Sequence, residues 1–79
     1  MRSVAPGTDG GLRLLTPRER TVLARAADGE TNAEIASALF IGESTVRKHL
    51  EHIYDKLEVR NRATAAAAYT QADQSRHAG

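Results

Sequence analysis

The sequence predicts an all-α domain of four helices, and three observations support this prediction. The pattern Thr-x-x-Glu occurs twice, as "TPRE" and "TNAE"; threonine and glutamate at this spacing satisfy the free amides at a helix start. No segment alternates between apolar and polar residues as a half-buried strand would. Apolar residues recur at helical spacings of four, three and four in one segment, namely Val46, Leu50, Ile53 and Leu57.

The bulk composition limits the protein class without assigning a function. The 79 residues allow one small domain, and 41% hydrophobic residues with 4% aromatic ones predict an aliphatic core. The absence of cysteine excludes disulfides and thiolate metal sites. No apolar run approaches the length of a membrane span, so we expect no membrane association and a cytoplasmic location. The formal net charge is only +1, so any binding to nucleic acid must depend on where the charges lie.

The four predicted helices follow one another with short connections. The first begins after Thr16 and stops at Gly29, because glycine is common just beyond a helix end. The second begins after Thr31 and has an apolar side over about two turns. The third carries the row from Val46 to Leu57. The fourth begins near Asn61 and continues through "RATAAAAYTQAD", since alanine has the highest helix propensity.

The expected domain organisation is a single folded unit between two tails. Residues 1–14 contain Pro6 and three glycines and are predicted to form a flexible lead or linker. Residues 15–73 are predicted to form the folded domain. Residues 74–79 are predicted to form a disordered tail.

The second and third predicted helices meet in a rigid corner. Only about four residues separate them, and so short a connection holds two helices at a fixed steep angle, as in a helix-turn-helix. Ala36 allows the two helices to approach closely, and Ile41 adds an apolar contact from within the turn. The sequence therefore predicts a helix-turn-helix whose third helix exposes one long polar side.

That polar side has the chemistry of a major-groove reader. Opposite the apolar row lie Ser44, Lys48 and Glu51, with Arg47 at the flank. Arginine and lysine donate to guanine, and glutamate accepts from the cytosine amine. Glu51 has an alternative role as the ion-pair partner of Arg47 one turn earlier, and we favour that interpretation. Elsewhere, Arg18 and Arg20 at the start of the first helix either meet flanking phosphates or are simply solvated.

Two patterns that resemble reactive sites fail on geometry. His49, His52 and Asp55 are each three residues apart, and they fan around the helix by about 120° in total. Ser44, His49 and Asp55 contain the residue types of a hydrolytic triad but face different directions. We therefore expect no metal site, no cofactor and no enzymatic activity.

Longer motifs give the chain a family resemblance. The segments "LTPRERTVL" and "NAEIASALFIGESTVRKHLEHIYDKLEVRNRATAAAAY" resemble the LuxR-type helix-turn-helix domain of the LuxR and FixJ regulators, from residue 15 to about 70. The resemblance implies a four-helix transcription regulator with its third helix in the major groove and its fourth helix mediating dimerisation on DNA. It also implies a response regulator or similar protein with a separate N-terminal input domain.

The resemblance also implies roles for individual residues. Arg47, Lys48 and Glu51 match positions that face bases, and Ser44 shares their side of the helix. The resemblance implies that Thr45, Arg60 and Arg62 hold either phosphates or the end of the recognition helix. Two positions depart from the family pattern, because Gly42 stands where Ser or Thr is usual and Glu51 where a basic or neutral residue is common. The small residues that form the expected dimer stripe on the fourth helix are Ala63, Ala66, Ala67 and Thr70.

Three functions compete at this level. The leading one is a sequence-specific regulator that binds double-stranded DNA as a homodimer on inverted-repeat half-sites, with RNA polymerase as a further partner. The second is a promoter-reading module like the fourth region of a sigma factor. The third is a protein-interaction domain whose DNA face has degenerated, because residues 43–58 carry three cations against four carboxylates.

Overall fold

The computed structural model describes residues 9–78, with side chains over residues 11–72, and all regular structure within them is α-helical. The all-α class is confirmed, and helices α2 to α5 correspond to the four predicted ones. The helices are α1 (Asp9–Arg13), α2 (Pro17–Ala27), α3 (Asn32–Leu39), α4 (Glu43–Leu57) and α5 (Arg62–Ala78).

Helix α1 differs from the sequence prediction, which placed residues 1–14 in a flexible lead. Glycines weaken an isolated helix, but here Leu12 is buried in the core and Gly11 lies against the end of α4. A Cβ atom at Gly11 would be 2.8 Å from Leu57 Cδ2, so a larger residue would displace the buried Leu57 side chain. Tertiary packing therefore stabilises a helix that local propensity disfavours. Residues 1–8 lie outside the described part of the chain.

The predicted capping boxes open α2 and α3. Thr16 Oγ1 accepts the Glu19 amide at 3.1 Å, and Glu19 Oε1 accepts the Thr16 amide at 2.9 Å. Thr31 and Glu34 repeat the arrangement at 3.1 and 2.8 Å. Helix α4 instead begins after Gly42 with no side-chain cap, because glycine has no acceptor to offer.

A single aliphatic core joins the helices. α2 packs against α4 and α5, and α3 packs against α4. The predicted apolar row of α4 is buried in full, which fixes which side of α4 faces the solvent. No helix in the described residues has an apolar stretch long enough to cross a membrane. The buried hydrophobic residues are Leu12, Leu15, Val22, Leu23, Ala26, Ile35, Ala36, Val46, Leu50, Ile53, Leu57, Ala65, Ala68 and Ala72.

The corner between α3 and α4 is closed by a left-handed residue. Phe40 ends α3 with φ 60° and ψ 44°, and the Ile41 amide donates to the Ala36 carbonyl at 3.0 Å. Glu58 ends α4 in the same conformation, with φ 59°. For residues other than glycine this conformation costs about 1–2 kcal/mol each. The short connection predicted for a helix-turn-helix is thus present.

Helix α5 is fastened at its first residue. Arg62 Nη1 donates to Asn32 Oδ1 at 2.7 Å, and Arg62 Nη2 donates to the carbonyl of Glu30. The helix then continues to Ala78, although residues 74–79 were expected to be disordered. Neither glycine nor proline occurs between Arg62 and Ala78, so no residue there interrupts the helix.

Candidate nucleic-acid interface

The N-terminal half of α4 presents the predicted DNA-facing residues to solvent. Val46 and Ile53 are fully buried, so the residues on the opposite side of the helix point away from the core. All the side chains predicted to face bases are exposed, as is the predicted phosphate contact Thr45. The exposed set is Ser44, Thr45, Arg47, Lys48 and Glu51.

A groove of about 540 Å³ runs between this surface and the N-terminus of α2. The capping residue Thr16 forms the α2 wall, and Lys48 and His52 are among the residues that α4 contributes. The Glu19 carboxylate also lines the groove, and the capping box already satisfies the Thr16 and Glu19 amides at this end of α2. In this groove Lys48 is therefore the cation that suits a phosphate. Sequence reasoning missed the contribution of Thr16; its capping box was the available signal, because it placed Thr16 at a helix N-terminus.

A buried carboxylate holds α4 against α2. Glu19 is only 4% exposed, and Lys56 Nζ donates to its Oε1 at 2.7 Å. His52 Nδ1 lies 3.9 Å from Oε2. Burial raises the pKa of Glu19, but the hydrogen bond from Lys56, the Thr16 amide and the Lys56 charge outweigh it and leave the pKa below its ordinary value. Glu19 is therefore ionised at neutral pH, and it pairs with Lys56 across the two helices.

Arg47 and Glu51 stand apart from each other. The ion pairs among residues 11–72 join Arg25 to Glu30, Lys56 to Glu19 and His52 to Glu19. The Arg47–Glu51 pair, which we favoured from the sequence, is absent from that part of the chain. Both side chains are therefore accessible to an external partner.

The basic residues outside α4 differ in their surroundings. Arg20 Nη2 donates to the Leu12 carbonyl at 2.9 Å, so Arg20 stabilises the end of α1 and is not simply solvated. Arg18 and Arg60 are exposed. Arg62 is half-buried, and its guanidinium is engaged with Asn32 and Glu30. Of the two arginines predicted to contact phosphate, only Arg60 has its side chain directed into solvent.

The small-residue stripe of α5 faces away from the core. Ala63, Ala67 and Thr70 are exposed, and Ala66 is half-buried. The alanines that pack inward are a different set, Ala65, Ala68 and Ala72. A shallow depression of about 350 Å³, lined in part by Ala67, lies beside the stripe.

No group of three or more His, Cys, Asp or Glu side chains in the described residues is arranged to hold a metal ion. The features present are the buried side of α4, its exposed polar side and the short rigid turn that precedes it.

A model of the GerE family, described as bacterial regulatory proteins of the luxR family, matches residues 13–69. The chain belongs to the luxR family.

Curated relatives of this luxR-family chain are transcription regulators by name. The chain is 46% identical over 66 residues to the probable transcriptional regulatory protein SgaR of Hyphomicrobium methylovorum, covering 84% of the chain and 31% of the relative. It is 52% identical over 52 residues to the uncharacterized transcriptional regulatory protein YhcZ of Bacillus subtilis, covering 66% of the chain and 24% of the relative. It is 40% identical over 76 residues to the probable transcriptional regulatory protein NarL of Mycobacterium tuberculosis, covering 81% of the chain and 35% of the relative.

The family confirms the helix-turn-helix interpretation. The chain spans about a third or less of the length of these relatives. Family and relatives together identify a luxR-family DNA-binding domain of transcription regulators and point away from an enzyme.

Proposed function

We propose that the domain binds a specific sequence of double-stranded DNA and regulates transcription, with α4 in the major groove. One observation carries the proposal: the exposed side of α4 directly after the rigid corner presents Arg47 and Lys48 unpaired within the described residues. Both can donate to guanine. Ser44 and Glu51 complete the base-facing surface.

Phosphate contacts flank the base-facing surface. Thr45 and Arg60 are exposed and contact the backbone on either side of the reading residues. Arg62 was predicted to contact phosphate, but its guanidinium donates hydrogen bonds to Asn32 and Glu30. These bonds attach the start of α5 to the segment before α3. We therefore assign Arg62 to positioning α5.

The bound form is a homodimer joined through α5. The exposed stripe around Ala67 lets two helices approach closely, but a few alanines bury too little area to overcome the several kcal/mol that association costs. Two α4 helices on neighbouring half-sites add their own binding energy, so DNA completes the dimer. The two-fold pairing requires an inverted repeat with half-site centres about 10 bp apart.

The cellular setting follows from this role. The DNA and RNA polymerase that the regulator meets lie in the bacterial cytoplasm. The longer relatives support an N-terminal input domain in a full-length response regulator, whose signal sets when the domain binds.

Selection from random duplexes at physiological salt tests the proposal. We expect enrichment of an inverted repeat with centres about one helical turn apart. A matched protein carrying Arg47→Ala and Lys48→Ala controls for non-specific attraction and should enrich no sequence. If the unaltered protein also enriches none, sequence-specific binding is refuted and the protein-interaction alternative is favoured, which the excess of carboxylates in residues 43–58 would then explain.

A further inference from the structure

His52 lies between the groove and the buried carboxylate of Glu19. From α4 it lines the groove between α2 and α4, and its side chain is 59% exposed. Its Nδ1 atom lies 3.9 Å from Oε2 of Glu19. The other oxygen of Glu19, Oε1, accepts hydrogen bonds from the Thr16 amide and from Lys56. The imidazole therefore meets the carboxylate at Oε2 and remains accessible from the groove.

The Glu19 carboxylate favours one arrangement of protons on the ring of His52. A carboxylate accepts hydrogen bonds and donates none, so it favours the neutral ring that carries its proton on Nδ1, the nitrogen nearest Oε2. In that form Nε2 presents a lone pair, which repels the oxygens of a phosphate. Imidazolium carries a proton on both nitrogens. Only the charged ring can therefore face Glu19 through Nδ1 and donate to an anion through Nε2.

His52 shares one side of α4 with the proposed phosphate contact Thr45. The two residues are seven positions apart, which is about two helical turns, and both line the groove. Lys48 lines the groove as well and supplies a cation beside them. A DNA strand that contacts Thr45 and Lys48 would therefore pass His52.

The charged groups around His52 come from two helices. Glu19 of α2 is its ion-pair partner, and no ionisable side chain of α1, α3 or α5 among the described residues lines the groove. The charged or imidazole side chains of α4 within one turn of His52 are Lys48, His49, Glu51, Asp55 and Lys56. Glu19 stays ionised between about pH 6 and 8, because its pKa lies below its ordinary value of 4.5. Histidine is the side chain whose charge ordinarily changes in that range, so His52 and His49 are the candidates for a pH response.

We propose that His52 contacts a DNA phosphate as an imidazolium, so that binding of DNA takes up one proton from the solvent. This inference rests on the proposed function, because DNA brings the phosphate to the groove. The proton occupies Nε2, which donates to a phosphate oxygen, while Nδ1 faces Glu19. Both anions favour the positive charge of the ring. Affinity for DNA therefore rises as the pH falls from about 8 to about 6.

Fluorescence anisotropy titrations test this contact with the selected duplex and a random duplex, at about pH 6 and pH 8 and at several salt concentrations. His52→Gln keeps a polar side chain that takes up no proton in this range. His52→Lys keeps a positive charge at both pH values. His49→Gln is the matched control, since His49 lines the same groove but forms no ion pair within the described residues.

We expect the unaltered protein to bind both duplexes about threefold to tenfold more tightly at the lower pH, the range of an exposed ion pair joined by a charge-assisted hydrogen bond. The slope of log affinity against log salt concentration should be steeper there by up to about one, because one further phosphate is neutralised. His52→Gln should lose both differences, and His49→Gln should keep them. His52→Lys should bind at both pH values as the unaltered protein binds at the lower one.

The outcomes separate the His52 contact from the proposed function. If the selected duplex is bound no better than the random one, sequence-specific binding is refuted, and the pH response on the random duplex still tests His52. If the selected duplex is preferred but its affinity is the same at both pH values, only the His52 contact is refuted. If neither duplex is bound at either pH, both proposals are refuted.

Two further results would overturn the phosphate contact. A pH response that persists in His52→Gln or in His52→Lys would assign the proton to another group. A response confined to the selected duplex would mean that His52 reads a base, because a phosphate contact carries no sequence information. Circular dichroism at both pH values should show equal helix content in the unaltered protein and the variants. If His52→Gln loses helix content, the pH response of His52→Lys decides the question.

Discussion

Replacing Lys56 by methionine removes the cation that faces the buried carboxylate of Glu19, 2.7 Å away. A hydrogen bond to a charged group contributes about 1.5–3 kcal/mol, and removing one partner of a fully buried pair costs about 3–5 kcal/mol. Lys56 is 33% exposed, so in the variant water partly replaces the lost ammonium group beside Glu19. Glu19 also keeps its hydrogen bond from the Thr16 amide at 2.9 Å. We therefore expect a loss of about 2 kcal/mol in the free energy of unfolding at pH 7.

The loss of stability in Lys56→Met should depend on pH, and its direction follows from the pKa of Glu19. The pKa of Glu19 lies below its ordinary value of 4.5, so its stabilising contribution is present above that value and is lost as the pH falls through the folded pKa. In Lys56→Met the lowering influence of Lys56 is gone, so the pKa of Glu19 is higher than in the unaltered protein. The deficit of the variant should be largest near neutral pH and should shrink as the pH falls through the folded pKa of Glu19, which lies below 4.5 in the unaltered protein.

Urea unfolding followed by circular dichroism at pH 7 and pH 3.5 measures both effects. At a typical m-value of about 1 kcal/mol per M for a small domain, the midpoint should fall by about 2 M at pH 7. Lys48→Met is the matched control, because Lys48 is exposed, and it should change stability by no more than about 0.5 kcal/mol. Adding Glu19→Gln to Lys56→Met should restore part of the loss. A Lys56→Met deficit no larger than the control, or one that persists unchanged in acid, would refute the reasoning.

Five further substitutions test the interface, the dimer and the attachment of α5. In DNA titrations Lys48→Ala should weaken binding to the selected site by about 1–3 kcal/mol more than binding to a random duplex. Arg60→Ala should weaken binding to both duplexes alike and should lower the slope of log affinity against log salt concentration by about one. Glu51→Gln should raise affinity for every duplex, since it removes a negative charge near phosphates; a changed base preference at one position would mean that Glu51 reads DNA. Ala67→Glu should leave the circular dichroism spectrum and half-site binding intact and abolish cooperative binding to a paired site; an unfolded protein or unchanged cooperativity would contradict the α5 dimer. Arg62→Ala should cost about 1–3 kcal/mol in urea unfolding, an effect that a phosphate contact alone would not produce.

Features encoded within one turn of helix were predictable from the sequence. The capping boxes at Thr16 and Thr31 involve residues three positions apart, and their partners are fixed by local geometry. The buried row of α4 follows from periodicity alone. The exposed polar side, and hence the base-facing candidates, followed directly from the same periodicity.

Features that join distant segments were not predictable. Lys56 and Glu19 are 37 residues apart, and the sequence indicated only a capping role for Glu19. Arg62 and Asn32 are 30 residues apart. The family motif therefore suggested a phosphate contact for Arg62, whereas in the fold its guanidinium is hydrogen-bonded to Asn32. Helix α1 contains two glycines, and its stability comes from the burial of Leu12, the contact of Gly11 with Leu57 and the hydrogen bond from Arg20 to the Leu12 carbonyl. In each case the deciding partner is brought close by tertiary packing, which local propensity does not encode.

The contact between Gly11 and Leu57 ties α1 to the C-terminal end of α4. Because α1 rests on the C-terminal end of α4, the segment preceding α1 enters the domain there, about 20 Å from Ser44 at a rise of about 1.5 Å per residue. A side chain at Gly11 would press on the buried side chain of Leu57, because its Cβ atom would lie 2.8 Å from Leu57 Cδ2, so a substitution in α1 would disturb the C-terminal end of α4. Helix α1 and the residues predicted to face bases thus lie at opposite ends of α4.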